Sequence, residues 1–474
     1  EGAGAGCTFP KRPIGVKGGG RGNPRFHKSR GNMAGNLLIA QSGGPTAVIN
    51  ATLSGILEEG LLSGEIDRIY GSRYGIQGLL EEKLLELSQR IPELLQRDFP
   101  GRSREDALSR FLQRLSKTPA AALGSCRYKL EDPSEFERIL ELFRKYGISY
   151  FIYIGGNDSM DTAWKLSRFF RERGEKGITV VGAPKTIDND LFGIDHCPGF
   201  GSAAKYIATS LSELSRELFV YEQSYVIIVE MMGRNAGWLT AAAALSERME
   251  GSVPMLIYLE EHSFSVERFL SDLRKALSER GRLIVAVSEG IKDEEGVLIS
   301  DYDAEAEERE SGEEKGRQLS GKAERGRGDA DAFGHRMHSG AGKVLEEIVR
   351  ERIGCKVRSI ELNLLQRCAG HLLSKTDVTE SRELGRRAVR LALSGKNGEM
   401  SSLRRSSLEG GEYRAEYFGA PLSEIANREK KVPSEWITED GCHLTEDCIR
   451  YLLPLIQGEE GCDFEDGLPK YVEF

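Results

Sequence analysis

Lys185, Asp188 and Asp190 lie in one heptapeptide, Pro184-Lys185-Thr186-Ile187-Asp188-Asn189-Asp190, just after the β-branched run Thr179 to Ala183 (TVVGA). A cation with two carboxylates behind it is equipment for phosphoryl transfer. In an extended backbone, residues i and i+2 share a side. Asp188 would then stand near a substrate hydroxyl and Asp190 near a metal, or the reverse. TVVGA reads as a strand, and residues past the carboxyl end of such a strand face a crevice in open α/β sheets. Taken alone, the same residues would also suit a polar turn, because Asp and Asn bond readily to neighbouring backbone.

Three further segments favour the first reading. In Asn36 to Ile56 (NLLIAQSGGPTAVINATLSGI) an apolar strand runs into Gly43-Gly44 and then into an apolar-periodic helix. Glycines at that junction let backbone approach a phosphate, and a helix amino terminus offers N–H groups and positive dipole. Tyr150 to Thr162 (YFIYIGGNDSMDT) repeats the pattern around Gly155-Gly156. In Val226 to Gly237 (VIIVEMMGRNAG) a strand ends near Arg234, whose guanidinium can fork onto a sugar phosphate.

These four blocks, in this order, resemble the phosphofructokinase family, and the resemblance runs from about Asn36 to the end of the chain. It implies an α/β protein with two doubly wound, mostly parallel-sheet domains and an active-site cleft between them. Fructose 6-phosphate would bind on one side and a phosphoryl donor on the other. ATP-using members carry a small residue after the second glycine loop and a glycine before TIDND. Here those positions hold Asp158 and Lys185, which is similar to the pyrophosphate-dependent branch. A carboxylate at 158 adds bulk and like charge where a nucleotide's α-phosphate would lie. At about 4 Å and an effective dielectric near 20 that repulsion is roughly 4 kcal/mol, nearly a thousandfold in affinity.

Residue by residue, the resemblance makes Asp188 the general base on the sugar 1-hydroxyl and gives Lys185 the phosphoryl group in flight. Gly43, Gly44, Arg127 and Lys185 would hold pyrophosphate. Thr186, Met232, Gly233, Arg234 and Glu289 would contact the sugar phosphate, with Arg358 and Arg367 on its 6-phosphate and Arg358 reaching across a subunit interface. Asn157 and Asp190 would hold Mg2+, an amide replacing the more usual carboxylate at 157. Leu364 and Tyr225 stand where ATP-dependent bacterial relatives place a histidine and an arginine on phosphate, so those contacts are lost or replaced. The alternatives are an ATP-dependent 6-phosphofructokinase and a non-catalytic regulatory subunit of the same fold.

The chain has 474 residues, long enough for two or three domains. Its 65 basic against 74 acidic residues, net −9, argue against general nucleic-acid binding. No apolar run approaches a membrane span. Eight cysteines without a CxxC pair read as reduced thiols of a cytoplasmic protein. Residues 1–35, rich in Gly, Arg and Lys, read as a disordered tail, and about 303–331, dense in charge, as a solvated mobile insertion. Between them the family suggests a donor-binding domain at 36–199 and 366–400, and a sugar-phosphate domain at 200–365. A carboxyl-terminal extension, 401–474, would pack as a cap. Gly340 to Val344 (GAGKV) echoes a P-loop but lacks its first glycine and its hydroxyl. His335 and His338 lack further metal ligands at suitable spacing, and Cys442 and Cys448 suggest ordinary packing. A homodimer or homotetramer is expected, since Arg358 would serve a neighbouring subunit.

Overall fold

Along each long strand, consecutive side chains go to different cores. Leu37 and Ile39 join one apolar cluster while Leu38 and Ala40 join another. Such two-sided burial requires helices on both faces of the sheet. The structure is a computed structural model that describes residues 35–302, 340–407 and 411–474. The basic tail (1–34), the charged insertion and His335 and His338 lie outside the described residues.

The first strands are β1 (Gly35–Gln41), β2 (Ile66–Ser72), β3 (Leu84–Glu86), β4 (Ile148–Gly155) and β5 (Thr179–Pro184). A second set follows: β6 (Tyr225–Met231), β7 (Met255–Tyr258), β8 (Arg282–Ser288) and β9 (Lys356–Glu361). After the short β10 (Leu373–Ser374) come β11 (Glu399–Ser407) and β12 (Tyr413–Pro421). The large sheet has the order β12-β11-β5-β4-β1-β2-β3, and the second has β7-β8-β6-β9. The second sheet is wholly parallel. The large one is parallel from β2 through β11 and ends in antiparallel β3 and β12.

The stretch expected as a cap from 401 divides its work. Its first part, β11 and β12, widens the large sheet beyond β5. Farther along, Trp436 and Tyr451 pack around Trp238 in the core of the second sheet, with ring centroids 6.0 and 5.2 Å from it, while Val472 and Phe474 return to a core of the large sheet. The Ala-rich stretch at Trp238 is a short helix, Trp238–Ala241, continued as a 3-10 turn to Arg248. No helix among the described residues is long and apolar enough to cross a membrane.

Two glycines fix how the helix Ile49–Leu62 meets the helix Lys375–Leu393. A Cβ at Gly55 would run into the Arg382 carbonyl oxygen, and one at Gly385 into that of Thr52. The P-loop echo is also explained: the N–H groups of Gly340 and Gly342, opening the helix Ala341–Arg352, donate to the Glu230 carboxylate at 3.1 and 2.7 Å. An internal anion fills that helix terminus.

Candidate active site

Loops from the carboxyl ends of both sheets converge on one cavity of about 510 Å3. β1 delivers Gly43 and Gly44. β4 delivers Gly156 and the first turn of the helix Asn157–Glu172, including Asp158. β5 delivers Lys185 to Asp190, β6 delivers Met232 and Arg234, and β8 delivers Glu289. Arg127 and Arg367 also line it, so the cavity gathers nearly every residue singled out from the sequence. Gly233 lies just beneath, its N–H donating to Glu289 Oε1 at 3.2 Å. Arg358 is exposed on the edge strand β9 and does not line the cavity. Tyr225 is buried at the amino end of β6, away from the site.

Gly43 adopts φ +76°, the left-handed region that favours glycine, and a Cβ there would lie 3.2 Å from Lys185 Nζ. Its N–H donates to Cys126 O at 3.0 Å and its carbonyl accepts from Ser125 Oγ at 2.6 Å. The amide expected to cradle phosphate is therefore already engaged. Side-chain cations gather over the same loop. Lys185 Nζ donates to Gly44 O at 2.6 Å, and Arg367 Nη1 lies 2.8 Å from where a Gly44 Cβ would sit, with Arg127 Nη2 at 3.9 Å. Arg367, expected on the sugar's 6-phosphate, thus stands over the Gly43-Gly44 loop. Ser159 Oγ donates to Ser42 Oγ at 3.0 Å and ties the two glycine loops together.

Asp188 sits between the two walls. Burial raises its pKa, while Lys185 and Arg367 on one side and Arg234 on the other pull it back down. Its N–H donates to Thr186 Oγ1 at 3.1 Å, which fixes the turn. Burial and the neighbouring Asp188 push Asp190 up to about 7. Burial pushes Glu289 up to about 8 against the Gly233 N–H, and depresses Lys185 to about 8 against Asp188. Arg234 Nε is buried with no hydrogen-bond partner among the described residues, a donor suited to an incoming anion.

The cationic pocket over a glycine loop, two carboxylates beside it and a half-buried arginine opposite agree with the sequence comparison, in which the model of the family Phosphofructokinase matches residues 36–392. The chain belongs to the phosphofructokinase family. The pyrophosphate–fructose 6-phosphate 1-phosphotransferase of Halomonas elongata is 39% identical over 445 residues, covering 92% of this chain and 96% of that protein. The protein of the same name from Xanthomonas campestris is 38% identical with the same coverage. A solved pyrophosphate-dependent phosphofructokinase from Nitrosospira multiformis superposes with a TM-score of 0.76 at 36% identity, over 93% of this chain and 96% of that one.

Phosphofructokinases generally work with a divalent metal. The donor set here fits one: among the described residues Asp190 Oδ1 is buried without a hydrogen-bond partner, beside a second carboxylate. Asn157, expected as a co-ligand, is otherwise engaged. Its Oδ1 accepts from the Asn427 N–H at 3.0 Å and its Nδ2 donates to Arg428 O at 3.1 Å. Asn427 and Glu429 also line the cavity, and both come from beyond the segment matched to the family. Sequence reasoning missed them because nothing local in Asn427-Arg428-Glu429-Lys430 signals a site.

Proposed function

We propose that this phosphofructokinase transfers a phosphoryl group from pyrophosphate to the 1-hydroxyl of fructose 6-phosphate, reversibly, giving fructose 1,6-bisphosphate and phosphate. The observation that carries this reading is the pairing of Lys185 and Asp158 on one cavity. Lys185, with Arg127 and Arg367, gathers three cations over Gly44, enough charge for a compact dianionic or trianionic donor. Asp158 places a carboxylate at the same end, where a longer nucleotide would have to pass.

The sugar phosphate lies against Arg234, whose unpartnered Nε meets an anion, and against Glu289. Asp188 accepts the proton of the attacking hydroxyl; burial raises its carboxyl toward proton uptake, and the cations of both walls oppose that rise. Lys185 neutralises charge spreading over the equatorial oxygens in the transition state. Asp190 and Asp188 would hold Mg2+, which when bound adds charge neutralisation at the phosphates. Asn157 is left to its backbone contacts. Initial rates with fructose 6-phosphate and magnesium, offering pyrophosphate or ATP separately, test the reading. Turnover with pyrophosphate and at most trace turnover with ATP is expected; ATP as the sole effective donor would overturn it.

A further inference from the structure

Asn189 separates the two site carboxylates, and its backbone is left-handed at φ +55° while its side chain is fully buried. That conformation decides where Asp188 and Asp190 point, so whatever holds Asn189 holds the site. Its Oδ1 accepts from the Cys197 N–H at 2.9 Å and its Nδ2 donates to Tyr451 Oη at 2.9 Å. The Tyr451 hydroxyl in turn donates to Asp195 O at 2.7 Å. Lys430 completes the clamp. Its ammonium donates to Asp195 O at 2.6 Å and Ile194 O at 3.1 Å, with Asn189 Oδ1 at 3.5 Å.

The backbone of Lys430 faces both walls of the cleft. Its N–H donates to Asp190 O at 2.7 Å, while its carbonyl accepts at 2.9 Å from Trp238 Nε1, at the start of the helix into which the Arg234 loop runs. The neighbouring Glu429 accepts from Asn235 Nδ2 at 2.9 Å. One residue therefore grips the carboxylate loop with its side chain and joins that loop to the arginine loop with its main chain. Neither Lys430 nor Tyr451 lies in the segment matched to the family.

We propose that Lys430 is a positioning residue for phosphoryl transfer, a cross-brace that, with Tyr451, sets Asp188 and Asp190 relative to Arg234. The proposal rests on the reaction proposed above. A brace of this kind acts on the alignment of reacting groups and not on ground-state binding. Displacement of about 1 Å can cost about a hundredfold in rate.

The test is steady-state kinetics of Lys430→Met, which keeps the main-chain bonds, of Tyr451→Phe, and of the double variant, each checked for a wild-type-like melting transition. Lys430→Met is expected to lose about 30-fold or more in kcat, with KM for fructose 6-phosphate and for the donor changed less than about threefold. Tyr451→Phe should lose about five- to tenfold in kcat with the same pattern, and the double variant should fall short of the product of the two losses, because both hold one turn. Should Lys430→Met not fold, Tyr451→Phe decides by the same criterion. Values of kcat within twofold of wild type, or losses confined to KM, would overturn the brace. Wild type is assayed alongside with pyrophosphate and with ATP, and the ratios are read with whichever donor it uses. Failure of the donor reading is thereby separate from failure of the brace, and absence of turnover with either donor sinks both.

Discussion

Lys185 holds an ammonium where burial disfavours one, and its pKa falls from 10.5 to about 8. The free enzyme therefore loses this charge within reach of ordinary assays. Because kcat/KM reports groups of the free enzyme, kcat/KM for pyrophosphate is expected to fall above about pH 8. Lys185→Arg, which stays charged, should flatten that limb over pH 7 to 9.5 even if its overall rate is lower. An alkaline limb of unchanged position in the variant would assign it to another group. This residue was legible in the sequence because its chemistry is local: a strand end, a cation, two carboxylates. Asn157 was legible only as a type. Its partners Asn427 and Arg428 lie 270 and 271 positions away, and no spacing rule discloses that its amide bonds to them. Arg367 was found by resemblance, but its place over Gly44 depends on the turn after β9, which apolar patterning does not describe.

At the level of elements, the site hangs on strand ends, and strand ends stay put only if the helices behind them do. The helix Ile49–Leu62 follows the donor loop directly and is pressed against the helix Lys375–Leu393 through Gly55 and Gly385. Gly385→Ala would set a methyl group against the Thr52 carbonyl, so overpacking of about 1–3 kcal/mol is expected. A lowered midpoint in urea unfolding, with unchanged m-value, is the corresponding observation; an unchanged midpoint would mean the helices can part freely. The apolar strands β1, β4, β5 and β6 were plain from sequence, since each has a buried apolar run at its centre. β11 was not. Ser401 and Ser402 are as fully buried there as Met400 and Leu403, so the pattern that marks a buried strand is diluted by hydroxyls, and Ser402 Oγ instead donates to Gly193 O at 2.6 Å. A stretch expected as a cap is in part sheet for that reason.

Across the whole molecule, a buried ionic knot ties the carboxyl-terminal strands to the loop behind the site. His196 meets Asp195 Oδ1 at 2.8 Å and Glu380 Oε2 at 2.6 Å, while Tyr413, at the start of β12, donates to Glu380 Oε1 at 2.6 Å. Burial alone would depress the imidazole, but Glu380 and Asp195 push it up to about 9 from 6.5. A raised folded pKa contributes stability that is fully present below pH 6.5 and is lost as pH rises through about 9. The contribution is on the order of 3 kcal/mol. Lys185, with its lowered pKa, works in the opposite sense, so the clean quantity is a difference. The gap in unfolding free energy between wild type and His196→Gln should shrink from pH 6.5 to 9.5; a constant gap would show that the imidazole is neutral throughout. The clamp on the carboxylate loop has a consequence in time. Synthesis proceeds from the amino end, and Lys430 leaves the ribosome 236 positions after the Ile194 carbonyl that it grips. A nascent chain can therefore complete most of both sheets while its carboxylates are still untethered, and competence for chemistry arrives only after Lys430 and Tyr451 have been translated.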